Sequence, residues 1–243
     1  MKITVRIKRQ NSFEAEAFYQ TILCDCDAET NIATLLREIN AEEVLDIDGD
    51  PVGEIAWECS CLQKKCGACA MRINGVPRLA CDTKIGDLKS KTVTLEPLKK
   101  FPVVRDLIVD RSVLRENLIA LHNWLESEAT KSRKTVDLAY DASRCIQCGC
   151  CLEVCPNFTA GESFFGAAAF VPASRILSQL PNGKKYELAR EYGKHIYNGC
   201  GKSLSCHDIC PVGIDVEHKL SNSNAVAVWK RFLRFFKNYG KRR

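Results

Sequence analysis

Apolar and polar residues alternate from the start of the chain: Ile3, Val5 and Ile7 fall on one side of a run whose other side carries Thr4 and Arg6. A period of two is that of a strand with one buried face. A polar stretch around Asn11-Ser12 separates it from a second apolar run, Phe18 to Leu23. The period then lengthens. Ile32, Leu35, Leu36 and Ile39 share one helical face, with Thr30 placed to cap it. Met71-Arg72-Ile73 and Val76-Pro77-Arg78-Leu79 flank Asn74-Gly75, a strong two-residue hairpin signal. Thr92-Val93-Thr94-Leu95 predicts a closing strand, and Pro97 and Pro102 mark a boundary.

Beyond that boundary the pattern is helical. Leu114, Leu118, Leu121 and Leu125 repeat at helical spacing beside Trp124. Phe164 to Leu180 reads as helix but contains Pro172, which predicts a kink or two pieces. Pro181-Asn182-Gly183 predicts a turn and Tyr186 to Tyr192 a short helix. The pattern therefore predicts an α+β chain, with strands and one helix over residues 1–100 and helices over 101–243.

The chemistry lies in the cysteines. Eleven of the fifteen fall into three groups: Cys61-x4-Cys66-x2-Cys69 with Cys81; Cys145-x2-Cys148-x2-Cys151-x3-Cys155-Pro156; and Cys200-x5-Cys206-x3-Cys210-Pro211. The first has the plant-type ferredoxin spacing and the second the bacterial run ending in Cys-Pro. The Asn74-Gly75 hairpin explains the gap after Cys69, because it returns the chain and brings Cys81 back. Gly67 and Ala68 let peptide N–H groups approach the sulfurs. The alternative for these four thiols is zinc, which usually takes two Cys-x2–4-Cys knuckles, whereas here one arm is a triple and the fourth ligand single.

In two-cluster ferredoxins the cysteine after the x3 interval ligates the other cluster. Applied here, Cys145, Cys148 and Cys151 take Cys210 as fourth ligand of a [4Fe–4S] cluster, and Cys155 joins Cys200 and Cys206. A complete second repeat would place a cysteine at position 203, which is Ser203. Three thiolates suit [3Fe–4S]; the alternative is [4Fe–4S] with Ser203 or an outside fourth ligand. Cys59, Cys150, Cys24 and Cys26 fit no interval and read as structural thiols. His207 follows Cys206 directly; a backbone-satisfied polar role is the plainer reading, beside one near a cluster.

Composition narrows the class. Charged residues make up 27% and apolar ones 46% of 243 residues, as in an ordinary globular protein. The longest apolar run, Phe164 to Val171, is far short of a membrane span. Met1-Lys2 leads straight into strand pattern with no export signal, so the thiols are expected in a reducing compartment, binding metal. The formal charge is +5. Three clusters, each about −2 with its thiolates when oxidised, bring it close to neutral, which removes the case for nucleic acid. Every charged residue after Glu217 is basic, and Trp229 to Arg243 carries seven Lys or Arg among Trp229, Phe232, Leu233, Phe235 and Phe236. That composition suits a surface against anionic headgroups. No nucleotide fingerprint and no hydrolytic constellation stands out, so the chain is expected to do no bond chemistry by itself.

With these groups in this order, the chain resembles the iron–sulfur subunits of succinate dehydrogenases and fumarate reductases. The likeness rests on the three cysteine groups and on Phe101-Pro102-Val103-Val104-Arg105-Asp106-Leu107-Ile108-Val109-Asp110. The resemblance implies a β-grasp [2Fe–2S] ferredoxin domain followed by an α-helical ferredoxin domain. It also implies an FAD-containing flavoprotein partner that does the dicarboxylate chemistry, and a membrane anchor of cytochrome b type carrying haem and quinone. A peripheral place on the cytoplasmic face of a bacterial inner membrane follows. Ubiquinone-using members have His after the first cysteine of the third group and Trp five residues after the Cys of the second group's Cys-Pro. Here Gly201 and Ala160 stand there, and the Cys200-Gly201-Lys202-Ser203 text looks more like the menaquinone-using members. Other readings are the iron–sulfur partner of another flavoprotein, such as a thiol-linked fumarate reductase, a diffusible ferredoxin, or a zinc-bound interaction protein.

Overall fold

The computed structural model of the chain describes residues 1–129, 133–181 and 185–230. These form two compact units. The first comprises Met1–Arg111 together with Ile146–Glu153, and the second comprises Ser112–Cys145 and the described residues from Val154 onward.

In the first unit the alternating run becomes β1 (Lys2–Arg9), whose Ile3, Val5 and Ile7 are buried. β2 (Phe18–Asp25) pairs with it antiparallel, from Lys2 opposite Asp25 to Arg9 opposite Phe18. β3 (Ala70–Ile73) and β4 (Val76–Leu79) form the expected hairpin, with Asn74 and Gly75 at φ 50° and 79°. β5 (Thr92–Glu96) pairs parallel with β1 and antiparallel with β3, giving a mixed sheet of order β2-β1-β5-β3-β4. The strand expected to close the sheet is therefore its central one. Val93 and Leu95 are fully buried there, as a strand flanked on both sides requires.

Helix α1 (Ile32–Ala41) buries Ile32, Leu35, Leu36 and Ile39. Its cap is Asn31, not Thr30: the Asn31 side chain accepts from Thr34 N at 2.8 Å. Thr30 is engaged otherwise, its N–H donating to the Asp27 carbonyl and its own carbonyl accepting from Ile85 N. A buried ion pair ties this unit together. The Asp106 carboxylate accepts from Arg9 Nε (3.1 Å), Gln10 N (3.0 Å) and Ala56 N (2.9 Å). Arg9 spends its remaining donors on Gln20 Oε1, Val52 O and Glu54 O, each at 2.8 Å. Burial of such a pair is tolerable only when every polar atom finds a partner, and this one does. A short hairpin, β6 (Val103–Arg105) and β7 (Ile108–Val109), completes the segment.

The second unit is helical: α2 (Ser112–Ala120), α3 (Arg133–Ser143), α5 (Ala167–Gln179), α6 (Tyr186–Tyr192), α7 (Ser205–Asp208) and α8 (Val216–Asn224); α4 (Cys150–Glu153) belongs to the first unit. Helix α5 is the centre, packed by α2, α3, α6 and α8 and buried nearly all round from Ala167 to Leu177. It runs through Pro172 as one element and starts at Ala167, after Gly166 at φ 67°. α2 ends before Leu121 and Leu125, because His122 turns left-handed at φ 53°. Two π-helical turns, Gly193–Tyr197 and Ala225–Trp229, follow α6 and α8, and Trp229 Nε1 donates to Tyr197 Oη at 3.4 Å. Asn182 and Gly183 of the expected turn lie outside the described residues, as do Phe232, Leu233, Phe235 and Phe236 of the basic, aromatic tail. Among the described residues no helix is long and apolar enough to cross a membrane.

Candidate iron–sulfur sites

The first cysteine loop leads into β3, and Cys81 follows β4 in a single 3-10 turn (Ala80–Asp82). The hairpin does what its turn predicts: Ala80 N donates to Cys69 O at 3.0 Å, setting Cys81 beside Cys69. Leu62 and Lys64 are both left-handed, at φ 52° and 59°. Alternating left-handed residues turn successive N–H groups to one side and form a nest for anionic atoms. The donors are aimed accordingly. Gln63 N and Lys65 N reach Cys61 Sγ at 3.3 and 3.2 Å, and Lys64 N reaches Cys81 Sγ at 3.4 Å. The bonds from Gln63 and Lys65 hold the Cys61 thiol down at about 7. Cys69 is pushed up to about 12 by burial, with Cys81 and Cys66 beside it adding to the effect. Cys66 and Cys81 thus lie close to Cys69, and Cys66 also bonds Cys61.

Residues 146–153 form an arm of the first unit that carries Cys148 and Cys151. Its helix α4 ends on Glu153, whose carboxylate accepts from Lys99 N (3.0 Å) and Lys100 N (3.1 Å) and lies 3.6 Å from Arg72 Nε. Gly149, at φ 86°, presses on the Phe101 ring, where a Cβ would come within 3.0 Å. Gly67 of the first loop presses on the arm still harder. A Cβ there would lie 2.7 Å from the Ile146 carbonyl oxygen and 2.9 Å from Cys148 Cβ. Left-handed residues again alternate, Gln147 at φ 52° and Gly149 around Cys148. A hydrogen bond from the Cys150 thiol holds Cys148 down at about 7, and the same bond with burial pushes Cys150 up. Cys150 is fully buried.

In the second unit, Cys206 is pushed up to about 11 by burial, with Cys155, Cys200 and Cys210 close enough to add to the effect. Cys210 Sγ receives Ile214 N at 3.5 Å, and Asn157 Nδ2 bonds Gly199 O at 2.9 Å beside Cys200. Lys202 and Leu204 are left-handed at φ 58° and 56° and flank Ser203, as Gln147 and Gly149 flank Cys148. His207 Nδ1 is buried without a hydrogen-bond partner among the described residues, 4.0 Å from Asp215. Cys24 and Cys26 lie at the end of β2 and just beyond it, and Cys59 is exposed. Among the described residues no group of three or more His, Cys, Asp or Glu could hold a metal ion. The fit of these loops to a polynuclear group rests instead on N–H donors aimed at sulfur, the interaction iron–sulfur thiolates use.

A 2Fe-2S iron-sulfur cluster binding domain family matches residues 4–116, and a 4Fe-4S dicluster domain family matches residues 141–214. The succinate dehydrogenase iron-sulfur subunit of Bacillus subtilis is 31% identical over 241 residues, 95% of this chain and 94% of that one. The chain belongs to the family of succinate dehydrogenase and fumarate reductase iron–sulfur subunits. Another member, the fumarate reductase iron-sulfur subunit of Haemophilus influenzae, is 30% identical over 66% of this chain and 70% of its own length. A chain of the Mycobacterium smegmatis Sdh1 complex in the apo form shares the fold, with a TM-score of 0.75 at 22% identity, covering 95% of this chain and 97% of that one. As in the rest of the family, the role is that of an iron–sulfur electron-transfer subunit of an oxidoreductase complex.

Two features around these loops had no sequence signal. The nests use Leu62, Lys64, Gln147, Lys202 and Leu204, residue types that do not announce a left-handed backbone. Arg111, which directly follows the Phe101–Asp110 stretch, carries no motif spacing of its own. Its guanidinium binds Gly67 O, Ala68 O and the Glu58 carboxylate.

Proposed function

We propose that the chain carries electrons between the FAD of a flavoprotein subunit and a membrane quinone, menaquinone, through three clusters. Cys61, Cys66, Cys69 and Cys81 would hold [2Fe–2S]; Cys145, Cys148, Cys151 and Cys210 would hold [4Fe–4S]; Cys155, Cys200 and Cys206 would hold [3Fe–4S]. When bound, these groups supply one-electron carriers. The chain's own residues do the rest: the left-handed pair Leu62 and Lys64 directs N–H donors at the Cys61 and Cys81 sulfurs, and Cys69 and Cys148 are buried. Dicarboxylate chemistry belongs to the flavoprotein, and haem to an anchor of cytochrome b type. The basic, aromatic tail suits a peripheral subunit on the cytoplasmic face of the membrane.

The observation that carries the reading is the repeated backbone of the cysteine loops. A left-handed pair flanks Cys148, and an equivalent pair flanks Ser203, each three residues into its run. Ser203 thus takes the place of a cysteine in the second repeat, which favours a three-iron centre there; its hydroxyl meets the Ser205 hydroxyl at 3.4 Å. Purifying the tagged chain from its native membranes tests the assignment. A flavin-bearing subunit and a haem-bearing anchor should copurify, and the complex should reduce a menaquinone analogue with succinate faster than a ubiquinone analogue. A soluble cysteine-rich reductase as the sole companion would overturn the quinone end.

A further inference from the structure

Arg111 closes the main segment of the first unit, with its side chain 15% exposed. Nη1 donates to Gly67 O at 3.0 Å, and Nη2 donates to Ala68 O at 2.7 Å and to Glu58. Both carbonyls belong to the loop between Cys66 and Cys69. Gly67 is also the residue pressed against Ile146 O and Cys148 Cβ. One cation therefore grips the peptides at which the first cysteine group touches the arm of the second.

Two physical consequences follow. A trans peptide points its C=O and N–H in opposite directions, so two carbonyls pinned on the guanidinium turn the Ala68 and Cys69 N–H groups away from it. A guanidinium also keeps its charge at every accessible pH, and a largely buried one is poorly screened. Reduction adds one electron, and so one negative charge, to a centre. A fixed cation nearby favours that reduced form.

We infer that Arg111 is a positioning residue that raises the reduction potentials of two adjacent centres together, through one fixed charge and one pinned peptide pair. The inference rests on the ligand assignment proposed above for Cys66, Cys69 and Cys148. Glu58, whose side chain is 42% exposed, offsets part of the charge.

The test is an EPR-monitored redox titration of the assembled complex. Arg111→Gln keeps a planar amide donor and removes the charge. Its one-electron reduction constants at the first and second centres should both fall about tenfold, a downward shift of about 59 mV, while the third centre stays put. Arg111→Lys should recover most of the shift. Glu58→Gln should move both potentials the other way, and this half-exposed position does not threaten folding. Unchanged potentials in Arg111→Gln, a shift at only one of the two centres, or an equal shift at all three would each overturn the inference. If Arg111→Gln fails to assemble its clusters, Glu58→Gln decides: a rise at both centres supports the inference and no change overturns it. Cys61→Ser and Cys148→Ser report on the ligand assignment separately, since intact signals in those variants would sink that assignment whatever Arg111 does.

Discussion

The two units hold their cysteines by different means. In the first, the loops are locked by close approach and fixed charge: Gly67 against Cys148, Gly149 against Phe101, Glu153 on two backbone N–H groups and Arg111 on two carbonyls. In the second, the cysteines are half-buried, and the loop at Cys200 is held by a side chain, Asn157 Nδ2 on Gly199 O. Cys206 is pushed up to about 11, and Tyr192, which packs near Cys200, is wholly buried with its hydroxyl on Asn224 Oδ1 at 2.8 Å. A lock such as Gly67 on the Ile146 carbonyl has no slack, because backbone cannot retreat. One of the second kind can repack. Equivalent substitutions should therefore be abrupt in the first unit and graded in the second.

The sharpest contrast is between two glycines. Gly67→Ala puts a methyl into the Ile146 carbonyl at a left-handed position, φ 75°. Both centres of that region should be lost, and iron content should fall by more than half on the proposed assignment. Gly201→Ala meets only the Asn157 side chain, at 3.1 Å, and should leave the iron content near wild type. Colorimetric iron and EPR on both variants check the pair, and equal losses would erase the distinction.

Next come the buried ion pairs. Asp106→Ala strands Arg9 in the interior and should cost about 3–5 kcal/mol. Lys219 in the second unit binds Asp141 at 2.9 Å and Leu138 O at 3.1 Å, but Asp141 is 26% exposed. Water can reach the carboxylate left behind, so Lys219→Met should cost less. Denaturant melts of the two variants give the order.

Smaller effects follow. Tyr192→Phe removes one buried hydrogen bond and should cost about 1 kcal/mol. Asn31→Ala removes the α1 cap at a similar cost, about 1 kcal/mol, whereas Thr30→Ala should cost less. Cys24→Ser and Cys59→Ser should leave every cluster signal in place; loss of any one would make the thiol concerned a ligand.

Local pattern carried much of the fold. β1, the buried face of α1 and the Asn74-Gly75 hairpin follow from period and turn chemistry, and Tyr186–Tyr192 is helical as expected. The rest depends on distant partners. Four alternating residues at 92–95 cannot say whether a strand is an edge or a centre; β5 becomes central because both β1 and β3 pair with it. Nor does residue type mark 146–153 as part of the first unit, because its anchors, Lys99, Lys100 and Gly67, lie more than forty residues away along the chain. The cysteine groups stand out in the sequence because cluster chemistry dictates their spacing. The nests do not, since the loops impose left-handed backbone on residues that would not choose it.

The most direct test of the three-centre account is iron quantification with EPR on the anaerobically purified complex, before and after mild oxidation. This chain should hold ~9 irons, two, four and three, with a three-iron signal in the oxidised sample. Ser203→Cys should remove that signal and raise the count to ~10. A wild-type count near ten irons without a three-iron signal would contradict the place given to Ser203.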